Sequence, residues 1–204
     1  MSNWMKRMSA AMIDQNSRVY EPFVADRKRT LFAQFAGDIL EIGPGTGANL
    51  SWYPPSIRWT GVEPNPYMHP YLHRTAAQLD MNIHILSNTA EHLNIQNSTI
   101  DIVVATLVLC SVKDPMRVLQ EIRRVLKPDG RFVFIEHVAA PQGSWMRRFQ
   151  HLIQPVWGIC ADGCHVTRET WRVIEQVGFK SVKIEHFCLP LSVVGPHIAG
   201  TAIK

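Results

Sequence analysis

Cysteine is scarce: four residues in a chain of 204 cannot make a disulfide scaffold, and no secretory signal precedes them, so the expected compartment is the cytoplasm. No apolar run approaches the roughly 20 residues that span a bilayer, and no transmembrane segment is expected. Internal repeats, low-complexity tracts and an interdomain linker are all missing. One domain over residues 1–204 follows, long enough for a full α/β core. Acidic residues, 17 against 21 basic ones, leave a net charge of +4. The basic residues are scattered, however, in short groups such as Lys28-Arg29 and Arg147-Arg148. Without a continuous stripe to track phosphates, a nucleic-acid partner is not expected. Peripheral contact with an anionic membrane surface stays open, and oligomeric state has no signature.

What the chain does have is glycine in one decisive place. Residues 39–49 read ILEIGPGTGAN, an apolar run into Glu41 followed by Gly43, Gly45 and Gly47 on alternate positions, and then Asn49 and Leu50. This is a strand, a tight loop and a helix start. Glycines there permit positive φ and leave a floor without side chains for a ligand. The dinucleotide fingerprint is G-x-G-x-x-G, which this stretch does not match, so a nicotinamide cofactor is not implied.

Around that loop, strands and helices alternate. Strands are expected at 58–62, 83–86, 98–109 and 131–138, with helices at 25–35, 48–53, 67–79 and 116–126. The run at 98–109 is almost continuously apolar, as a central parallel strand buried on both faces should be. The alternation demands a doubly wound parallel sheet with its ligand at the carboxyl ends of the strands. Residues 182–187 and 197–203 read as a closing antiparallel pair. Glu63, at the end of the second strand and 16 residues after Gly47, stands where α/β nucleotide sites keep an acid for ribose hydroxyls. Two segments are less regular. Residues 1–36 form a helical arm with Trp4, Met5, Met8 and Met12 near helical spacing, read as a packing helix or lid, with an interfacial membrane helix as the alternative. Residues 141–166 form an aromatic-rich insertion carrying Trp145, Phe149 and Trp157, expected to wall or cover an acceptor pocket.

The stretch E-x-G-x-G-x-G resembles motif I of the class I S-adenosylmethionine-dependent methyltransferases. EIGPGTG, VEPNP, TAEHL, IDIVVATLVLCSV, LKPDG and FIEHV continue that likeness over residues 28–204. TLVLCSVKDP, LQEIRRVLKPDG, EHVAAPQGSW, QPVW, DGCHVTRETW and VGPHIAGTAIK are similar to the animal methyltransferase-like alkyl-thiol S-methyltransferases. Those proteins begin with a hydrophobic anchor, whereas this chain starts with a polar, Met-rich arm, so membrane residence is not carried over. The resemblance implies a Rossmann-like, mostly parallel seven-stranded sheet with a closing antiparallel strand and helices on both faces. It implies S-adenosylmethionine as donor and S-adenosylhomocysteine as product. The donor would be held by Glu41, Gly43, Gly45, Gly47, Asn49, Glu63, Pro64, Asn65 and Leu107, with Thr89, Ala90 and Glu91 in the adenine loop. At Thr89 relatives often carry an aspartate, so adenine recognition here leans on the Thr89 hydroxyl and on backbone around Ala90.

Methyl transfer from a sulfonium is an in-line displacement that depends chiefly on positioning. A thiol acceptor near pKa 8.5 is already partly ionised at neutral pH, so a catalytic base is optional. The candidates for one are His137 at the end of the fifth strand, and Asp162 and His165 in the insertion. Cys160, Cys164 and His165 are too few for a closed zinc site, and no metal is expected. Cys110 reads as a small apolar residue. The acceptor is expected to be a small, apolar molecule, most simply an alkyl thiol. A quinone-like or phenolic acceptor for O- or C-methylation is one alternative, and a non-catalytic S-adenosylmethionine-binding module the other.

Overall fold

The computed structural model describes residues 3–161 and 163–204; the side chains of Met5, Ile159 and Cys160 lie outside that description. Seven strands form one sheet: β1 (Asp38–Ile42), β2 (Arg58–Val62), β3 (Ile83–Leu86), β4 (Ile100–Thr106), β5 (Leu126–His137), β6 (Ser181–Cys188) and β7 (Pro196–Ile203). Their spatial order is β3-β2-β1-β4-β5-β7-β6. The first five run parallel, and β7 lies antiparallel between β5 and β6. Among the described residues, five α-helices surround the sheet: α1 (Asn3–Phe32), α2 (His69–Gln78), α3 (Pro115–Val125), α4 (Trp145–Cys160) and α5 (Thr170–Gln176).

The sequence dictates the middle of this arrangement directly. In β4, Ile102, Val103, Val104 and Ala105 are all buried, so both faces of the strand are covered and its run of apolar side chains alternates between two cores. One core holds Val103, Ala105, Phe132 and Phe134 against α3 and α5. The other holds Ile102, Val104 and Val133 with Ile39, Trp59 and Leu72. At about 1.5–3 kcal/mol for each large apolar side chain buried, these two layers dominate the stability of the fold. α3 starts where Asp114 accepts from the backbone N–H of Arg117 and Pro115 takes the first helical position. Residues 127–130, which read as a turn, bulge out between the pairings Ile100↔Leu126 and Ile102↔Arg131, and β5 continues past them.

Three expectations are corrected. The N-terminal arm is one 30-residue helix that runs through Pro22, not an arm followed by a separate helix at 25–35. The expected helix at 48–53 is a single 3-10 turn, Leu50–Trp52, halted before Pro54. The helix expected at 67–79 begins two residues later, at His69, and ends at Gln78. α1 is anchored along its length. Val24 joins a cluster with Ile135, Leu189 and Ala199, and buried Lys28 pairs with Glu21, which also accepts from the Trp52 indole. Among the described residues, no helix is long and apolar enough to cross a membrane.

Candidate functional site

Two groups of side chains meet at the carboxyl edge of the sheet. The first is the glycine loop after β1. Gly43, Gly45 and Gly47 have φ of +61°, +56° and +88°, a left-handed conformation that favours glycine. At Gly43 a Cβ would also come within 2.7 Å of Val108 Cγ2. Glu41 is fully buried beneath the loop. Its carboxylate accepts from Asn49 Nδ2 (2.7 Å), Tyr53 Oη (2.9 Å) and Trp59 Nε1 (3.0 Å). Burial pushes the Glu41 carboxyl up, and the three donors pull it back. Glu41 therefore acts as a buttress that fixes Asn49, which also donates to Thr106 Oγ1 at the end of β4.

Glu63 ends β2 next to this floor. Its Oε2 accepts from Gly45 N (3.1 Å) and its Oε1 from Asn65 N (2.8 Å). Asn65 in turn caps the turn through Tyr67 N, while exposed Pro64 lies between. Thr89, Ala90 and Glu91 follow β3: Thr89 is exposed, Ala90 is buried, and Glu91 Oε1 accepts from Lys113 N. Leu107, just past β4, takes φ +57° and donates its N–H to Ile135 O. Of the twelve residues expected to hold a donor, Glu41 lies within β1, and the other eleven lie in the loops that leave β1, β2, β3 and β4. α1 covers them. Its Lys6 carbonyl accepts from Asn65 Nδ2, Asp14 pairs with Arg74, and Ile13 Cγ2 lies 3.8 Å from where a Gly45 Cβ would stand. A cavity of about 150 Å³ remains between α1 and the loop, bordered by Asp14, Arg18, Gly47 and Arg74.

The second group follows β4 and β5. Glu136 Oε1 accepts from the N–H of both Val108 and Leu109, and Arg168 Nη1 donates to the carbonyls of Leu109 and Val112. These clamps hold the loop that carries Cys110. Cys110, His137 and Cys164 are all buried, and their ligand-capable atoms lie within 4.8 Å of one another. His137 Nε2 is 2.9 Å from Cys164 Sγ, and the Trp157 indole N–H donates to the same sulfur at 3.4 Å. The contact with Cys164 draws the Cys110 thiol well below its ordinary value, and the same contact with burial pushes Cys164 up. Burial is the largest single influence on His137 and lowers it, but the charge and hydrogen bond of Cys110, with a backbone hydrogen bond and the Glu136 charge, together outweigh it and lift the imidazole to about 9. Burial raises Glu136 to about 8. Nearby, His197 is held at about 4 by burial and stacks on Tyr20 at 5.7 Å between ring centroids. Among the described residues, Tyr20 Oη, Glu136 Oε2 and His137 Nδ1 are buried without a hydrogen-bond partner, so this corner holds polar groups able to meet a ligand.

Of the residues put forward for chemistry, His137 lies at the centre of this corner. His165 is exposed, its ring reaches only Gln154 Nε2 (3.5 Å), and its link to the site is a backbone N–H to Cys110 O. Asp162 and the Cys160 side chain lie outside the described residues. The insertion also differs from the expected pocket wall: Trp145 is 72 % exposed and Phe149 faces solvent, whereas Trp157 turns inward to Cys164. The sequence reading missed Cys110, Tyr20 and Glu136. For Glu136 there was a signal, a carboxylate inside an otherwise apolar strand; for the other two there was none.

Comparison with known proteins gives a consistent picture. The family description "Methyltransferase domain" matches residues 40–134. Human thiol S-methyltransferase TMT1A is 40% identical over 199 residues, which cover 91% of this chain and 82% of that one. Among solved structures, a possible histamine N-methyltransferase from Thermotoga maritima superposes with a TM-score of 0.70 at 19% identity, over 98% of this chain and 99% of that one. Geranyl diphosphate C-methyltransferase from Streptomyces coelicolor, solved with S-adenosyl-L-homocysteine, gives a TM-score of 0.70 at 13% identity, over 88% of this chain and 79% of that one.

Proposed function

Because the chain belongs to the thiol S-methyltransferase family of class I S-adenosylmethionine-dependent methyltransferases, we propose that it methylates the sulfur of small, apolar thiols. The donor supplies an electrophilic methyl group on a sulfonium. The residues at hand fit such a donor. The glycine floor has no side chains to obstruct it, Glu63 offers a carboxylate at the strand tip beside Gly45, and buried Asn49 Oδ1 has no hydrogen-bond partner.

In this reading Gly43, Gly45 and Gly47 cradle the donor, with Glu41 and Asn49 fixing the loop and Glu63, Pro64 and Asn65 on the ribose side. Thr89, Ala90 and Glu91 border the adenine, and the Leu107 backbone faces the donor from β4. α1 closes over the donor, and segment 141–166 closes the acceptor side through Trp157. Together they exclude water, so that alignment of the two substrates supplies most of the rate, up to about 7–11 kcal/mol for a well-oriented pair. The acceptor sulfur needs only a place where its thiolate is favoured. We assign that role to the corner built by His137, with Cys110 and Cys164, and give no catalytic role to His165.

One observation carries the assignment: the donor loops after β1 and β2 and the sulfur- and imidazole-lined corner after β4 and β5 open on the same edge of adjacent strands. Incubation with labelled S-adenosylmethionine and a panel of alkyl thiols, phenols and quinols tests it. Label should move to the thiols with release of S-adenosylhomocysteine; transfer to phenols or quinols alone, or tight donor binding with no turnover, would reject it.

A further inference from the structure

We propose that Cys110, His137 and Cys164 form a zinc site with one open position, and that the open position takes the acceptor's sulfur. The second half of this statement rests on the thiol reading above; the first does not.

The argument starts from the ligands. Two cysteine sulfurs and one imidazole nitrogen are a donor set that suits zinc, and three protein ligands with a vacant fourth position are the pattern of catalytic zinc rather than of structural zinc. Zinc at about 2.3 Å from sulfur and about 2.0–2.1 Å from nitrogen would set these atoms roughly 3.3–3.8 Å apart. Here all three lie within 4.8 Å of one another, and His137 Nε2 and Cys164 Sγ are 2.9 Å apart, so shifts of up to about 1 Å would complete the geometry. The three come from separate elements: the loop after β4, the last residue of β5, and the segment between α4 and α5.

The surroundings suit a site of this kind. The Trp157 indole N–H points at Cys164 Sγ, and the Ser111 hydroxyl lies 3.5 Å from Cys110 Sγ, the outer-shell contacts that a thiolate ligand uses. Arg168 is anchored on the carbonyls either side of Cys110 and offsets negative charge in the corner. Pairing of Val138 N–H with Pro196 O and of His165 N–H with Cys110 O fixes the backbone at two of the three ligands. Ligand placement is thus set before any ion arrives.

The chemistry balances. On binding zinc, both cysteines lose their protons to solvent, and an incoming acceptor thiol loses its own proton as it takes the fourth position. The coordinated sulfur then attacks the methyl carbon. A carbon–sulfur bond forms to the acceptor, the methyl–sulfonium bond breaks, and its electron pair stays on the donor sulfur. The product thioether is neutral, a weaker ligand than a thiolate, and leaves the metal.

The test uses the full chain, purified under reducing conditions and reconstituted with Zn²⁺ or Co²⁺. We expect about one metal per chain by elemental analysis. The Co²⁺ form should show the thiolate charge-transfer absorption and intense visible bands of a tetrahedral site, and an alkyl thiol should shift those bands. Cys110→Ser and Cys164→Ser should each weaken metal binding by at least about tenfold, while Cys188→Ser, outside the cluster, should leave it unchanged. Circular dichroism and melting curves identify any variant that fails to fold, and for such a variant His137→Gln serves instead. No bound metal after reconstitution, Co²⁺ bands that survive the Cys110→Ser/Cys164→Ser double substitution, or a Cys110–Cys164 disulfide in the freshly isolated chain would overturn the proposal. Thiol turnover without metal would overturn the site and leave the thiol reading standing. Metal bound with no shift and no turnover on thiols would overturn the acceptor position and that reading together.

Discussion

Glu63→Ala should weaken binding of S-adenosylmethionine by about 30- to 1,000-fold. The Glu63 carboxylate is already aimed by two backbone donors, Gly45 N at 3.1 Å and Asn65 N at 2.8 Å, so it needs no reorganisation to meet a ribose. Two charge-assisted hydrogen bonds at about 1.5–3 kcal/mol each give a gross value of about 3–6 kcal/mol. Water and the displaced neighbours recover part of that, which leaves about 2–4 kcal/mol, or the stated range at about 1.4 kcal/mol per tenfold. The two N–H groups lose their acceptor in both the free and the bound protein, so this loss lowers stability and largely cancels from the affinity. Isothermal titration with S-adenosylmethionine and S-adenosylhomocysteine measures the effect, and a parallel thermal melt confirms that the variant folds. Glu63→Gln keeps one acceptor oxygen and loses the charge, so it should fall between wild type and alanine. An affinity within threefold of wild type for a folded Glu63→Ala protein would refute the ribose assignment.

Gly43→Ala should cost at least about 1–2 kcal/mol from its φ of +61° alone, and more from the contact with Val108, measured by denaturant unfolding. Trimming Val108 to alanine in the same chain should recover the second part only. Lys28→Met should cost about 3 kcal/mol, because it leaves Glu21, and behind it buried Glu41, without their cation; a loss under 1 kcal/mol in urea unfolding would count against that pairing. A pH effect comes from Glu121, whose carboxyl lies below its usual value near 4.5 because Arg124 bonds to it, with Leu93 N–H as a second donor. A folded-state value below the unfolded one means that this contribution is complete above about pH 4.5 and fades as pH falls through the folded value. Glu121→Gln should therefore lower the neutral plateau of the stability curve and flatten its acid limb, so that variant and wild type converge as pH falls through the folded value.

The loops proposed for the donor were largely legible because their conformation is local. The glycine loop carries its own conformational requirement, and Glu63 follows from the end of a strand whose bounds, Arg58–Val62, can be read from its apolar residues. β3 was equally clear. The corner proposed for the acceptor was not legible, because it is assembled from residues whose neighbours in sequence say nothing of one another. Cys110 follows an apolar strand and looks like more core, and only folding brings Cys164 and His137 to it. Nearness in sequence pointed instead to Cys160, Cys164 and His165, but the His165 ring turns out to solvent. Pro22 stands inside the helix that the sequence reading divided at residue 25. A proline inside a helical pattern argues for a break, yet packing of Val24 and pairing of Lys28 beyond it carry the helix through.

That unbroken helix has a kinetic consequence. At 1.5 Å per residue its 30 residues extend about 45 Å. Its first half rests on the donor loops through Lys6, Ile13 and Asp14, and its second half reaches the acceptor corner, where Tyr20 stacks on His197 and Val24 packs on Ile135. Both entrances share one rigid cover. Passage of both substrates under this one cover should make turnover ordered; initial-rate kinetics with S-adenosylhomocysteine as inhibitor check it, and a random-entry pattern would refute the shared cover.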